Sequence, residues 1–174
     1  RKGYADFANG ANATPVWLDF EAINWLIKEK QIPSTAIVIN GYSGDFIFGG
    51  HISAKLAQEA DVETVTEMLM SKHCSHFKSN LLSEASQIIR NSIVEEIKLL
   101  GIPASDASAL ASFSESWDWR ERQVKAVVNG QRLYEFFGLE WMLPFWDKEL
   151  VEFCATVPFD LRLDQRLHTR YLKQ

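Results

Sequence analysis

Ala36-Ile37-Val38-Ile39-Asn40-Gly41-Tyr42-Ser43-Gly44-Asp45-Phe46-Ile47-Phe48-Gly49-Gly50-His51 carries an apolar, partly β-branched strand straight into a glycine-rich turn with one acidic side chain. α/β enzymes hold phosphate at junctions of this kind. Glycine permits positive φ and close backbone approach, so successive N–H groups converge on an anion while a carboxylate such as Asp45 recruits a divalent cation. The bland alternative is a tight turn after a buried strand, with no ligand. The loop lacks Gly-Lys-Ser/Thr and the Gly-x-Gly-x-x-Gly spacing, so taken alone it matches neither strong phosphate signature.

Outward from the loop, the run Ala36 to Ile39 predicts a short strand buried on both faces of a parallel sheet. Upstream, Thr14-Pro15 reads as an N-cap with proline at the first helical position. Val16, Phe20, Ile23 and Ile27 follow at helical spacing, broadened by Trp17 and Leu26, and the helix is expected to stop near Lys30. Residues 1 to 13, rich in Gly, Ala and Asn without a period, read as an irregular lead-in. Beyond the loop the pattern predicts amphipathic helices over Val62 to Ser71, Leu81 to Leu100, Trp119 to Phe137, Lys148 to Thr156 and Leu167 to Leu172. Pro103 with Ser105-Asp106 marks a break and restart, and Pro144 and Pro158 punctuate the C-terminal part. One strand alone cannot satisfy its backbone hydrogen bonds. Its partners are either weak strands in this chain or strands in sequence beyond it.

A chain of 174 residues buries a real core and fits one domain or a large piece of one. The formal net charge of −5 opposes an extended nucleic-acid footprint, which needs clustered Lys and Arg. Two cysteines, Cys74 and Cys154, form no Cys-x-x-Cys pair, so free thiols in a reducing cytoplasm are expected rather than a disulfide framework or zinc ribbon. No apolar run is long enough for a bilayer, and no signal-peptide core follows the N-terminal Arg1-Lys2-Gly3. The expectation is a cytoplasmic protein without nucleic acid or membrane as partner. A start without Met and an end at Tyr171-Leu172-Lys173-Gln174 suit a piece of a longer protein.

Two later segments give the loop its context: Gly138-Leu139-Glu140-Trp141-Met142-Leu143-Pro144-Phe145-Trp146-Asp147 and Arg170-Tyr171-Leu172-Lys173. In this order the three resemble the C-terminal half of the synthetase domain of the asparagine synthase family. Its pattern is Ser-Gly-Glu-Gly-x-Asp-Glu-x-Phe-Gly-Gly-Tyr after a strand, later Glu-x-Arg-x-Pro-Phe-Leu-Asp, and near the end Lys-x-Leu-Leu-Arg. Ala13-Thr14-Pro15 with its helix also resembles the family segment before that strand. The likeness covers nearly all of residues 1–174, although Asp61 to Glu115 matches only as unspecific helices.

The resemblance implies an α/β fold, adenine nucleotide alpha hydrolase-like, here as a mostly helical portion with few parallel strands. It implies an ATP-dependent amide-forming ligase: a carboxylate such as aspartate is adenylated by MgATP, and ammonia from a glutaminase domain or another source displaces AMP. ATP and Mg2+ are the implied cofactors. Gly41, Ser43, Gly44 and Asp45 fall on the cofactor side with Asp45 as the metal ligand, Tyr42 and Arg170 at catalytic positions, and Glu140 and Asp147 on the substrate side. The alternative is a divergent, non-catalytic scaffold with a degenerate nucleotide site.

Departures from the family pattern support that alternative. Tyr42 stands at the family glutamate, Ser43 at its second glycine, Phe46 at the second acid, Met142 at the arginine and Arg170 at the terminal lysine. Tyrosine, with an unperturbed pKa near about 10, is a poor base at neutral pH. The family's pyrophosphate loop, Ser-Gly-Gly-x-Asp-Ser, occurs nowhere in the chain. The implied reaction is incomplete without it, and missing sheet strands predict exposed apolar edges and self-association.

Three other clusters invite a reading. His73-Cys74-Ser75-His76 places two imidazoles at i and i+3 beside a thiol, but lacks a second ligand pair, and the end of a helix is preferred to a zinc site. Trp117-Asp118-Trp119-Arg120-Glu121-Arg122 mixes aromatics and guanidiniums in the manner of a base-stacking surface. Its acidic neighbours favour packed tryptophans with solvated ion pairs. Glu140 and Asp147 are either paired carboxylates or, for Asp147, the cap of the helix starting at Lys148.

Overall fold

A computed structural model of the chain describes residues 2–11, 13–75 and 82–174. In chain order the elements are α1 (Lys2–Gly10), α2 (Trp17–Lys28), β1 (Ile37–Ile39), α3 (Gly44–Ile47), α4 (Ala54–Gln58), α5 (Val62–Cys74), α6 (Leu82–Leu99) and α7 (Ala107–Asp118). A π-helix (Trp119–Val128) and a 3-10 turn (Asn129–Gln131) lead to α8 (Arg132–Phe136) and β2 (Glu140–Met142). The 3-10 turn Pro144–Trp146, α9 (Lys148–Thr156), α10 (Phe159–Arg162), a 3-10 turn (Leu163–Gln165) and α11 (Arg166–Leu172) complete the order. The protein is mostly helical with a short parallel sheet, which is compatible with an α/β fold.

β1 pairs in parallel with β2, Ile37 opposite Glu140, Val38 opposite Trp141 and Ile39 opposite Met142. Asn40 extends the ladder, its N–H donating to the Met142 carbonyl at 3.0 Å. The strand thus finds a partner within the chain, in three residues whose brevity leaves no periodic signal. Burial on both faces is not what forms: Ile37 is 50% exposed, Ile39 70% and Met142 56%. Alternate residues of a strand share a face, and only the face of Val38 and Trp141 has an apolar cluster to pack against. Among the described residues no third strand joins the sheet.

The chain forms two compact units, residues 1–44 with 120–155 and residues 45–119 with 156–174. In the first, Tyr4, Ala8, Phe20, Leu133, Tyr134 and Leu139 build the core. The irregular lead-in expected at residues 1 to 13 is instead the helix α1, because tertiary packing outweighs its poor helix composition. The Tyr4 ring lies 5.1 Å from Phe20, 5.2 Å from Phe136 and 5.3 Å from Trp17, and its hydroxyl accepts from the Val16 N–H at 2.9 Å. That bond belongs to the N-cap residue, so α2 starts at Trp17 rather than after Thr14. The helix expected over Trp119 to Phe137 is helical from Trp119 to Phe136, but widens into a π-helix and tightens into a 3-10 turn before α8. Gln123 and Gln131 are turned inward there, and Gln131 Nε2 donates to the Val127 carbonyl.

In the second unit the helical spacings hold. Val65 and Leu69 of α5, Ile93 and Ile97 of α6, and Leu110 and Phe113 of α7 meet Leu56 and Ile52 in one core. Each such side chain taken from water contributes roughly 1.5–3 kcal/mol. Asp61 caps α5 through the Thr64 N–H at 2.6 Å, and Asp106 caps α7 through Ala109 at 3.0 Å. Cys74 and Cys154 are buried and not joined in a disulfide. Among the described residues, no helix is long and apolar enough to cross a membrane.

Candidate functional site

The turn after β1 is held by its own side chains. Asn40 accepts the Tyr42 N–H on Oδ1 at 3.0 Å, and its Nδ2 donates to Gln131 Oε1 at 3.3 Å and Tyr134 Oη at 3.2 Å. The Gly44 N–H returns to the Gly41 carbonyl at 3.3 Å. Two of the amides expected to face phosphate are therefore engaged within the turn. Ser43 adopts φ +67, in the left-handed region, and is buried. Its hydroxyl donates to Gln123 Oε1 at 2.7 Å and accepts from Trp146 Nε1 at 3.1 Å. A Cβ on Gly44 would lie 2.7 Å from the Phe145 ring, so the absence of a side chain there serves close packing. These contacts bring the Gly41–Gly44 turn against Pro144–Trp146, about one hundred residues later in sequence.

A cavity of about 540 Å³ opens past the carboxyl ends of β1 and β2, lined by Ile39, Trp141, Met142, Pro144, Trp146 and Asp147 among others. Its size suits a small molecule, and ligands of open α/β sheets occupy this end of the strands. Asp147 is exposed and caps α9, its Oδ1 accepting the Leu150 N–H at 3.0 Å. Glu140 is exposed at the opposite, amino end of β2. The cap reading of Asp147 therefore holds. Tyr42 is 41% exposed. Partial burial raises its phenol above the ordinary value, as do the charge of Asp19 and a hydrogen bond to it. A phenol so placed stays protonated at neutral pH and serves as a donor, not a base.

Asp45 follows the turn with an exposed side chain. Its Oδ2 meets His51 Nε2 at 3.1 Å, and the other ring nitrogen, Nδ1, lies 2.6 Å from Asp118 Oδ2. Lys72 Nζ donates to the same Asp118 oxygen at 2.8 Å, and His73 Nε2 is 3.6 Å from the other. Burial opposes charge on Asp118, but hydrogen bonds from His51 and Lys72 and their charge outweigh it and hold the carboxyl well below the usual range. Asp118 is thus a buried ion-pair acceptor, not the solvated acid expected beside Trp117 and Trp119. Phe46 is buried, its ring 5.4 Å from His51 and 5.8 Å from Trp119.

The paired glycines close this segment for steric reasons. Gly49 has φ +87, and a Cβ there would lie 2.3 Å from the Arg162 carbonyl oxygen; one on Gly50 would lie 2.8 Å from the Asp45 carbonyl oxygen. Arg162 itself donates to the Val157 carbonyl at 2.9 Å and pairs with Glu115, whose carboxyl is raised by burial in spite of the guanidinium. Arg170 is exposed on α11.

The family model described as asparagine synthase matches residues 14–174, through the strand, the turn and both later segments. The chain belongs to the asparagine synthase family. No curated protein and no solved structure matches it. Set beside the family pattern, Asp45 would correspond to its first acid, with Phe46 and His51 where the pattern has the second acid and the closing tyrosine. Among the described residues no three His, Cys, Asp or Glu side chains gather as a metal cage. Asp45, with its side chain 67% exposed, fits magnesium as a single protein ligand beside phosphate and water oxygens, which is how that ion is commonly held on nucleotides.

Sequence reading gave no role to His51, Lys72, Asn40 and Gln123, and took Asp118 for a solvated acid. His51 was legible as the last residue of the loop motif. Asp118, Lys72 and Gln123 carry no local signal, because their roles depend on helices brought together in the fold. His76 of the candidate metal cluster lies outside the described residues.

Proposed function

We propose that the chain is the nucleotide-side portion of an ATP-dependent, amide-forming ligase acting on a carboxylate, aspartate or an analogue. One observation supports this above the rest: the Gly41–Gly44 turn and the Pro144–Trp146 segment, remote in sequence, meet through Ser43, Trp146 and Phe145 at the carboxyl end of a parallel strand pair. MgATP supplies an adenylate leaving group, so that the amide C–N bond forms as the C–O bond to AMP breaks. In this reading Asp45 holds magnesium and pyrophosphate, and the Ser43 and Gly44 backbone borders the phosphates. Tyr42 turns its single hydroxyl proton from Asp19 to the substrate, and Arg170 neutralises phosphate charge as a fixed cation. Asp147, on the lining of the cavity, belongs to the substrate side, whereas Glu140 sits at the opposite end of β2 and is not assigned there. Ammonia comes from a glutaminase domain or another source.

Phe46 favours a second reading, a non-catalytic scaffold. It fills the place of an acid with a buried ring, and the neighbouring turn amides are partly engaged. In the protein at full length, exchange of labelled pyrophosphate into ATP, with a panel of carboxylates, separates the two. The ligase reading expects exchange that Asp45→Asn abolishes. Absence of both exchange and MgATP binding across the panel leaves the scaffold.

A further inference from the structure

Asp45 is the one carboxylate the loop offers, and its exposed side chain on a four-residue helix has little of its own to hold it. What fixes it lies behind. Lys72 of α5 grips Asp118 of α7, Asp118 takes His51 Nδ1 at 2.6 Å, and His51 Nε2 reaches Asp45 Oδ2 at 3.1 Å. An ionised carboxylate only accepts hydrogen bonds, so in each contact the ring nitrogen donates, Nδ1 to Asp118 and Nε2 to Asp45, and the ring orientation is set. The Phe46 ring edge against the imidazole restrains it further. Beside the network a cavity of about 20 Å³, lined by His51, Lys72, Ser114, Glu115 and Asp118 with Met68 and Leu69, has room for one water.

We propose that Asp118, gripped by Lys72, is a positioning residue that acts through His51 to fix the Asp45 carboxylate for a nucleotide-bound divalent cation. The proposal rests on the nucleotide reading above. It assigns the imidazole that replaces the family tyrosine the task of holding the remaining acid, and it distinguishes the network from an ion pair that serves stability alone. Partners of this kind that orient a metal ligand change cation affinity by about 10- to 100-fold when removed.

The test is calorimetric binding of ATP to the purified protein, once with Mg2+ and once in EDTA. Asp118→Asn and His51→Phe should each weaken MgATP about tenfold and leave metal-free ATP unchanged. Asp118→Asn should add nothing to Asp45→Asn, since both act on one carboxylate. A purely structural role predicts the opposite: intact MgATP affinity, equal weakening of both forms, or additive losses, and any of these overturns the proposal. If the unsubstituted protein binds neither form, the nucleotide reading fails instead. Positioning is then judged on the Asp45 carboxyl carbon by NMR, which should shift in His51→Phe and Asp118→Asn. An unmoved resonance overturns it, and His51→Phe serves if Asp118→Asn does not fold.

Discussion

Replacing Ser43 by alanine and by glycine separates two forces that act on one residue. Its hydroxyl joins Gln123 Oε1 at 2.7 Å and Trp146 Nε1 at 3.1 Å, while its backbone sits at φ +67. Either substitution deprives a buried acceptor and a half-buried donor of this partner, at roughly 1–3 kcal/mol for each. The half-buried Trp146 belongs at the low end, which places Ser43→Ala at about 2–4 kcal/mol of lost stability. Glycine loses the same bonds but relieves the left-handed strain, returning about 1 kcal/mol. Urea unfolding followed by tryptophan fluorescence and circular dichroism, with coincident transitions required, measures both. The expected order is wild type, then Ser43→Gly, then Ser43→Ala. Ser43→Ala within about 0.5 kcal/mol of wild type would refute the buried bridge, and Ser43→Ala at or above Ser43→Gly would refute the strain.

Gly49→Ala forces a Cβ to 2.3 Å from a backbone oxygen at φ +87, so it should cost about 3 kcal/mol or more by urea unfolding, since backbone cannot yield as a side-chain tip does. Asp118, held below its unfolded value of about 3.9, adds stability that is full above that value and lost as pH falls through the folded one. The stability gap between wild type and Asp118→Asn should therefore be widest near neutrality and shrink once pH drops below about 4. The open edge and bare face of β1 and β2, with Ile37, Ile39 and Met142 exposed, predict self-association, which Ile39→Lys should reduce; a monodisperse monomer by light scattering in the wild type contradicts this.

The elements legible in the sequence were those with a long period or a local cap. α5, α6 and α9 follow the apolar spacings, and Asp61, Asp106 and Asp147 announce helix starts through a carboxylate three residues ahead of the amide it accepts. α1 was not legible, because Tyr4 is helical on account of rings at Trp17, Phe20 and Phe136 that no window of ten residues contains. β2 was not legible because three residues cannot show a period of two against background. The same division runs through the candidate site. Asp45 and the glycines could be named from the loop alone, yet the steric demand on Gly49 comes from Arg162 and that on Gly44 from Phe145. Asp118 reads as a surface acid by composition and becomes a buried acceptor only where α5 and α7 meet.

Phe46 and His51 are best understood as one change. The resemblance would place two acids and a tyrosine at positions 45, 46 and 51; at 46 this chain has a buried ring packed on the imidazole and on Trp119. A carboxylate at 46 would be buried against two aromatic side chains, where ionisation is opposed by desolvation. His51 supplies what the rearranged site needs: one ring nitrogen for the interior acid Asp118, the other for Asp45. The loop thereby presents one oriented carboxylate in place of two. A lone carboxylate holds free magnesium weakly, whereas an ion already bearing phosphate oxygens needs only one or two from the protein. On the proposed reading, Asp45 would therefore serve a cation that arrives with nucleotide rather than a resident one.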